Sequence, residues 1–368
     1  SDLPGGDPDD EGSMTRFFHY LNEFDLEGIV GTRKASQSRT GKDGKATILL
    51  FIDAYEKVYG NLRLHDPDYP APRYLRSIAR QCYAGTEGRD LLIKAVDKKD
   101  PRPVVISNWG TNDGNPSSAR QALDYVKRTR SNAEYRAFAG KIIMCEGGGQ
   151  ETAYQLRGHY PAFHRVIDTF SPSRWYWRWR PLTEKAGGFD INRDVKRGHG
   201  PLGERYTIQK EGDTPCFMHC LPTGLVQIDQ PFYGSWAGRF GYEKRQLKYM
   251  ANQKDAWGGS SSRDNTLKRW AVHIQNDFAA RADWCVKSYS RANHPPVPVV
   301  NGNKTLDVIY VKSPPHKMMA LSASGSADPD GDKMQYEWIY YPEPGTYSGR
   351  FSLSSLTGER TSFKTPSD

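Results

Sequence analysis

Residues 2–10 read DLPGGDPDD, four aspartates in nine residues with two glycines and two prolines among them. Clustered carboxylates are hard oxygen donors. Ca²⁺ takes six to eight such oxygens, from carboxylates and carbonyls, at about 2.3–2.6 Å. Glycine lets the backbone double back and aim its carbonyls inward. The stretch therefore reads as a cation site or as a solvated acidic turn that caps a helix, with Asp9, Asp10 and Glu11 in a first turn where acids suit the helix dipole.

The elements around it set the context. Met14, Phe17, Phe18 and Leu21 fall at helical spacing after the aspartates. LEGIVGT reads as a short buried strand. TILLFIDAYEKVYGNL reads as a helix ended by Gly60-Asn61, PRYLRSIARQCYAG as a second and EGRDLLIKAVDK as a third. RPVVISNWG is a strand entering a Gly/Asn-rich loop, SSARQALDYVKRTR a helix, KIIMCEGGG a strand with a polar glycine end, and YPAFHRVIDTF a further short element. Strand and helix alternate, which predicts an α/β fold with a mostly parallel sheet and helices on both faces. Functional loops of such sheets lie beyond the carboxyl ends of the strands. DLPGGDPDD, GTNDGN and CEGGGQE all sit there and mark one crevice.

From Trp175 to Gly259 the pattern dissolves into loops rich in Gly and Trp. Trp175, Trp177 and Trp179 alternate, which places all three on one face of a strand; core packing is the expectation and stacking on sugar rings the alternative. Trp236, in YGSWAGR, reads as a substrate wall or a packing plug. TLKRWAVHIQNDFAARADWCVKSY is an amphipathic helix with Leu267, Trp270, Ala271, Ile274 and Phe278 on one face, and His273 and Asp277 as a surface pair. NHPPVPVV is a linker or extended edge. The strand-like segments beyond it predict a small immunoglobulin-like β-sandwich, shorter than the roughly 100 residues usual for one. Its DPDGD, Asp328–Asp332, reads as an acidic turn or a calcium loop. The expected domains are 1–293 and 294–368.

The chain has 368 residues, 37% hydrophobic and 12% aromatic, with net charge +8. It is polar but rich in rings, and so folded. The basic residues are scattered, which argues surface solubility and against a nucleic-acid arm. Five cysteines without a CxxC pair leave at least one thiol unpaired and exclude a zinc ribbon. ATILLFI, the longest apolar run, is too short to span a bilayer. No signal peptide is visible. An aspartate turn of this kind follows a strand, so a mature or trimmed N-terminus lacking most of a first strand is the expectation.

The opening stretch, together with HDPDYPAPRYLRSI, LLIKAVDKKDPRPVVISNWG, HGPLGERYTIQKEGDTPCFMHCLPTGL, YGSWAGRFGYE and IQNDFAARADWCV, resembles the nucleoside-hydrolase-like domain of bacterial cellulose-binding proteins. LSASGSADPDGDKMQYEWIYYPEPGTY resembles that family's C-terminal immunoglobulin-like domain. The resemblance implies a fold close to nucleoside hydrolases, in which an aspartate cluster after the first strand holds Ca²⁺ and a metal-activated water attacks the anomeric carbon. It implies Asp10 as a calcium ligand and Asp9 as acceptor of a sugar hydroxyl. Asp2 or Asp7 would be the general base, Asp2 by preference and also near the metal. Asp213 of EGDTP would complete the metal shell, with a carbonyl from Thr111 or Asn112; a turn aspartate bonded to its own backbone is the alternative for Asp213. Glu146, Gln150 and Glu151 stand where the enzymes have an acidic loop, and His199 and His219 are the candidates for helping the leaving group.

These implications define a secreted carbohydrate-active protein that hydrolyses a ribosyl, furanosyl or oligosaccharide bond. The alternative is a non-catalytic cellulose- or polysaccharide-binding protein on the same scaffold. No nucleic-acid partner is expected.

Overall fold

A computed structural model describes every residue except 5–7, 83–84, 111–116, 148–157, 164, 170–174, 208–209 and 368. Helix α1 (Asp9–His19) starts directly after the aspartate turn, and all its residues are buried. Strand β1 (Ile29–Gly31), helices α2 (Gly44–His65) and α3 (Pro72–Ile78), and strand β2 (Ala79–Gln81) follow. Helix α2 passes through Gly60-Asn61, where the sequence predicts its end. Tyr55, Val58 and Leu62 keep its core face buried, and Asn61 Nδ2 donates to Cys285 O at 3.3 Å. Packing outweighs the local cost of a glycine.

Next come α4 (Glu87–Val96), β3 (Val104–Trp109), α5 (Ser118–Thr129), α6 (Asn132–Gly140), β4 (Ile142–Gly147) and β5 (Arg165–Asp168). Short helices α7 (Trp179–Thr183), α8 (Gly200–Glu204) and α9 (Thr214–Met218) precede β6 (Gly241–Glu243) and β7 (Lys248–Met250). The hairpin of β8 (Asp255–Trp257) and β9 (Ser260–Ser262) leads into α10 (Asn265–Lys268) and α11 (Ala271–Trp284), and β10 (Met318–Ser322) and β11 (Arg360–Lys364) lie near the C-terminus. The tryptophan triplet is not a strand. Trp175–Arg178 form a 3₁₀ turn, and the tighter winding turns Trp177 outward while Trp175 and Trp179 are buried.

The main sheet has the order β3-β4-β5-β7-β6, parallel from β3 to β7 with β6 antiparallel at the edge. Strands β1 and β2 pair in parallel. Ser1 and Asp2 bridge the two sheets. The Ser1 amine donates to Val30 O, Thr32 N donates to Ser1 O, and Asp2 N donates to Trp109 O, each at 3.0 Å. Beneath this bridge a cavity of about 580 Å³ runs between β1 and β3, lined by Met14, Ile29, Val30, Val104 and Phe217.

Strand alternation divides the core. Ile143 and Cys145 of β4 join the cluster shared with α1, α2 and α11, whereas Ile142 and Met144 join the cluster under α5 and α6. Helices thus cover both faces, as expected. The C-terminal unit is a small β domain whose only sheet among the described residues is the antiparallel β10–β11 pair. It docks through polar contacts in two places. Asp330 accepts from His294 N at 2.6 Å and sits 2.8 Å from His294 Nδ1, and His294 Nε2 is 2.8 Å from His65 Nδ1 at the end of α2. Tyr341 donates to Asp255 at 2.6 Å, and Asp255 also takes Arg239 Nη1 at 2.7 Å. At this second place Arg239 Nη2 also donates to Glu343 O at 2.7 Å and Ala256 N to Glu343 Oε1 at 2.8 Å.

Candidate metal centre

Asp9, Asp10 and Asp213 converge. One ligand oxygen from each lies within 4.8 Å of the others, and all three side chains are buried. Asp9 and Asp10 come from the first turn of α1. Asp213 precedes α9, its N–H donating to Ser13 Oγ at 3.2 Å, one turn along α1. Burial pushes the Asp10 carboxyl well above its ordinary value, and the neighbouring Asp213 and Asp2 add to the shift. The set is oxygen-only and crowded with like charge, a donor chemistry that fits Ca²⁺ or another hard cation.

Asp2 completes one side. Arg33 Nη2 donates to Asp2 Oδ2 at 2.8 Å and Arg33 Nε to Asp2 O at 3.2 Å. Ser1 Oγ donates to Asp10 Oδ1. Two glycines make room. Gly110, at φ +87°, lies so close that a Cβ there would be 2.6 Å from Asp2 Cγ. A Cβ on Gly147 would be 3.2 Å from Asp213 Oδ1 and 3.0 Å from Cys216 Sγ.

A buried ion pair sets the distance between the two halves. Arg16, two turns along α1 from Asp9, donates to Glu211 Oε1 at 3.0 Å, and Glu211 stands two residues before Asp213. Glu211 also accepts from Thr214 Oγ1 at 2.9 Å and from Tyr206. Closer to the cluster, Glu11 accepts from Arg39 and, at 3.1 Å, from Thr207. Apart from Glu11, expected only as a first-turn acid, none of these residues stands out in the sequence. The only signal was an arginine in the buried stripe of an amphipathic helix.

Other expected site residues fall elsewhere. Asp7, Thr111, Asn112, Gln150 and Glu151 lie outside the described residues. His199 is not at the cluster. Its Nε2 is 3.1 Å from Asp283 Oδ1 on α11 and its charge acts on His19, at the far end of α1 and about 14 Å along the helix from Asp10. His219 closes the opposite end of α9 from Asp213, with Nδ1 3.2 Å from Ser235 Oγ, and burial lowers its pKa to about 4. Glu146 is buried at the end of β4, where its charge, after burial and the charge of Asp213, helps raise the pKa of the Cys216 thiol. Its register partner Asp168 accepts from buried Lys248 at 2.5 Å, a pair the sequence reading did not single out. Trp236 is half-buried against the core.

A mostly parallel α/β sheet with a buried aspartate cluster over its carboxyl-end rim defines a nucleoside-hydrolase-like protein. Residues 1–240 match cellulose-binding Sde182, nucleoside hydrolase-like domain, and residues 318–368 match the C-terminal domain of cellulose-binding protein Sde0182. The chain belongs to this family. It is similar to the solved structure of a nucleoside hydrolase-related hypothetical protein from Saccharophagus degradans that is associated with carbohydrate metabolism. The two are 32% identical with a TM-score of 0.80, over 100% of this chain and 90% of that one. No curated protein matches the chain. Among the described residues no helix is long and apolar enough to cross a membrane.

Proposed function

We propose that this chain is a cation-dependent, carbohydrate-active hydrolase that cleaves a glycosyl bond above the carboxyl ends of β3 and β4. The observation that carries the reading is the buried approach of Asp9, Asp10 and Asp213 within 4.8 Å. Carboxylates this close and this buried resist ionising together unless a cation lies among them. Asp10 and Asp213 would hold Ca²⁺, with Asp2 beside Asp10. Bound there, Ca²⁺ supplies Lewis acidity and makes water a better nucleophile. Asp9 accepts a sugar hydroxyl and orients the ring. Asp2, its plane fixed by Arg33, is placed to collect a proton, and the cluster's negative charge favours an oxocarbenium-like sugar. The family's cellulose-binding description supports a polysaccharide or a fragment of one as the substrate, and hence a site of action outside the cytoplasm.

One observation favours a second reading, polysaccharide binding without turnover. Arg33 Nη2 donates to Asp2 Oδ2 at 2.8 Å and so competes for the carboxylate that a base would use. A panel of nucleosides, aryl glycosides and cello-oligosaccharides separates the two, assayed for reducing sugar in Ca²⁺ or in chelator. The first reading expects Ca²⁺-dependent release that Asp10→Asn abolishes. If wild type and Asp10→Asn both bind cellulose and neither cleaves the panel, the second reading replaces it.

A further inference from the structure

Strands β1 and β3 each pair on one side only, with β2 and β4. Their other edges line the cavity beneath Ser1 and Asp2. Backbone alternation fixes what those edges present. Val104 N donates to Lys141 O and Gly110 N to Gly147 O, so the even-numbered residues of β3 bond toward β4. The N–H and C=O groups of Val105, Ser107 and Trp109 therefore point the other way, into the cavity. In β1, Gly31 O accepts from Cys82 N on the β2 side, so Val30 points into the cavity as well. Ser1 and Asp2 meet only the last rung. Ser1 bonds to Val30 O and Thr32 N, and Asp2 N bonds to Trp109 O, each at 3.0 Å, which is the two-sided pattern of a central parallel strand. These bonds hold β1 and β3 two strand spacings apart, about 9.6 Å. Protein interiors hold few voids larger than a water and pair nearly all of their buried backbone groups. A void of about 580 Å³ between two such edges has the shape and the hydrogen-bonding groups of a strand position.

We propose that this slot seats a parallel β-strand of about five apolar residues, supplied by the polypeptide immediately ahead of Ser1. The Ser1 amine commits the occupant. It donates to Val30 O between the two edges, so a residue joined to that nitrogen continues the ladder down the slot. The register sets the length. Ser1 stands opposite Trp109, which leaves Val104–Asn108 to be matched, a span of about five residues. The lining sets the chemistry. Met14, Phe17 and Phe217 of the core cluster shared with α1 cover one face, and Leu92, Ala119 and Met144 of the cluster under α5 and α6 cover the other. A strand buried on both faces is a continuous apolar run, without polar alternation. At the far end the lining becomes charged, with Lys98 paired to Glu27 and Arg102 to Asp25, each at 2.5 Å, and there the chain would enter from solvent. The seated strand would also anchor the metal centre from behind, because Ser1 Oγ donates to Asp10 Oδ1 and Asp2 follows on the same backbone.

The test compares the 368-residue chain with the same chain carrying either Val-Ile-Val-Ile-Val or Gly-Ser-Gly-Ser-Gly ahead of Ser1. Thermal unfolding, amide hydrogen exchange and molecular mass in solution are measured. In the 368-residue chain the amides of Val105 and Ser107 should exchange faster than those of Ile106 and Asn108, which bond to β4. The apolar extension should slow exchange at Val30, Val105 and Ser107 about tenfold or more and raise the Tm by about 5–10 °C. The Gly-Ser extension should do neither. Equal protection of all four β3 amides in the unextended monomer overturns the proposal, and so does an apolar extension that moves neither exchange nor Tm. An unextended chain that is a dimer, with Val105 and Ser107 already protected, makes a second copy the occupant and overturns it too.

Discussion

Arg16 and Glu211 form a buried ion pair, 195 positions apart in sequence, that ties the body of α1 to the loop carrying Asp213. Arg16 also donates to Gln275 at 3.0 Å and lies over the Phe278 ring at 3.8 Å. Burial alone would weaken the Arg16 charge, but Glu211 beside it more than compensates and raises its pKa. Position and charge are coupled here. The pair fixes where Asp9 and Asp10 stand relative to Asp213, and so whether three carboxylates can share one cation.

Glu211→Ala leaves the Arg16 guanidinium buried without its carboxylate partner. Breaking such a pair costs about 3–5 kcal/mol. Urea denaturation should show that loss, and the variant should also respond less to added Ca²⁺, because Asp213 is no longer held. A stability loss below about 1 kcal/mol would show that the pair is not what joins α1 to that loop.

Cation binding should stabilise the fold. A ligand present at 100 times its Kd adds about 2.7 kcal/mol to a protein that binds it only when folded. Ca²⁺ should therefore raise the Tm of wild type but not of Asp10→Asn or Asp213→Asn. Gly147→Ala, whose Cβ would press on Asp213 Oδ1 and Cys216 Sγ, should blunt the response while leaving the secondary structure unchanged. Metal analysis finding no cation, together with a Tm unmoved by Ca²⁺, would remove the cation reading.

Docking of the C-terminal domain should loosen in acid. His65 Nε2 is 2.9 Å from the Lys287 carbonyl, which can only accept, so a neutral His65 presents Nδ1 to receive a proton from His294. Burial and, after it, the charge of His294 lower the His65 pKa, although the bond to Lys287 opposes this. Burial would raise Asp330, but the bonds from His294 outweigh it and hold it below the usual range. Both depressed groups bind fewer protons folded than unfolded. Their stabilisation is full above the unfolded values, about 6.5 for histidine and 3.9 for aspartate, and is lost as pH falls through the folded ones. Limited proteolysis of the linker around residues 294–317 should speed up below about pH 6.5. His65→Asn should flatten that dependence, and equal cleavage rates at neutral and mildly acidic pH would count against the latch.

The sequence alone determined the alternation of strands and helices, the two-faced parallel sheet, and Asp9-Asp10 in a helix's first turn. These follow from local periodicity, and from where acids and glycines sit along the chain. Asp213 entered through the resemblance of EGDTP to a family pattern, and only the fold put it against Asp10. Tertiary structure also decided what periodicity cannot encode. It chose which of three alternating tryptophans faces solvent, carried α2 through Gly60-Asn61, and placed His199 at the wrong end of α1 for the cluster. Arg16 and Glu211 were invisible for the same physical reason: a buried charge is tolerated only because its partner arrives from a distant segment, and one-dimensional spacing holds no record of that meeting.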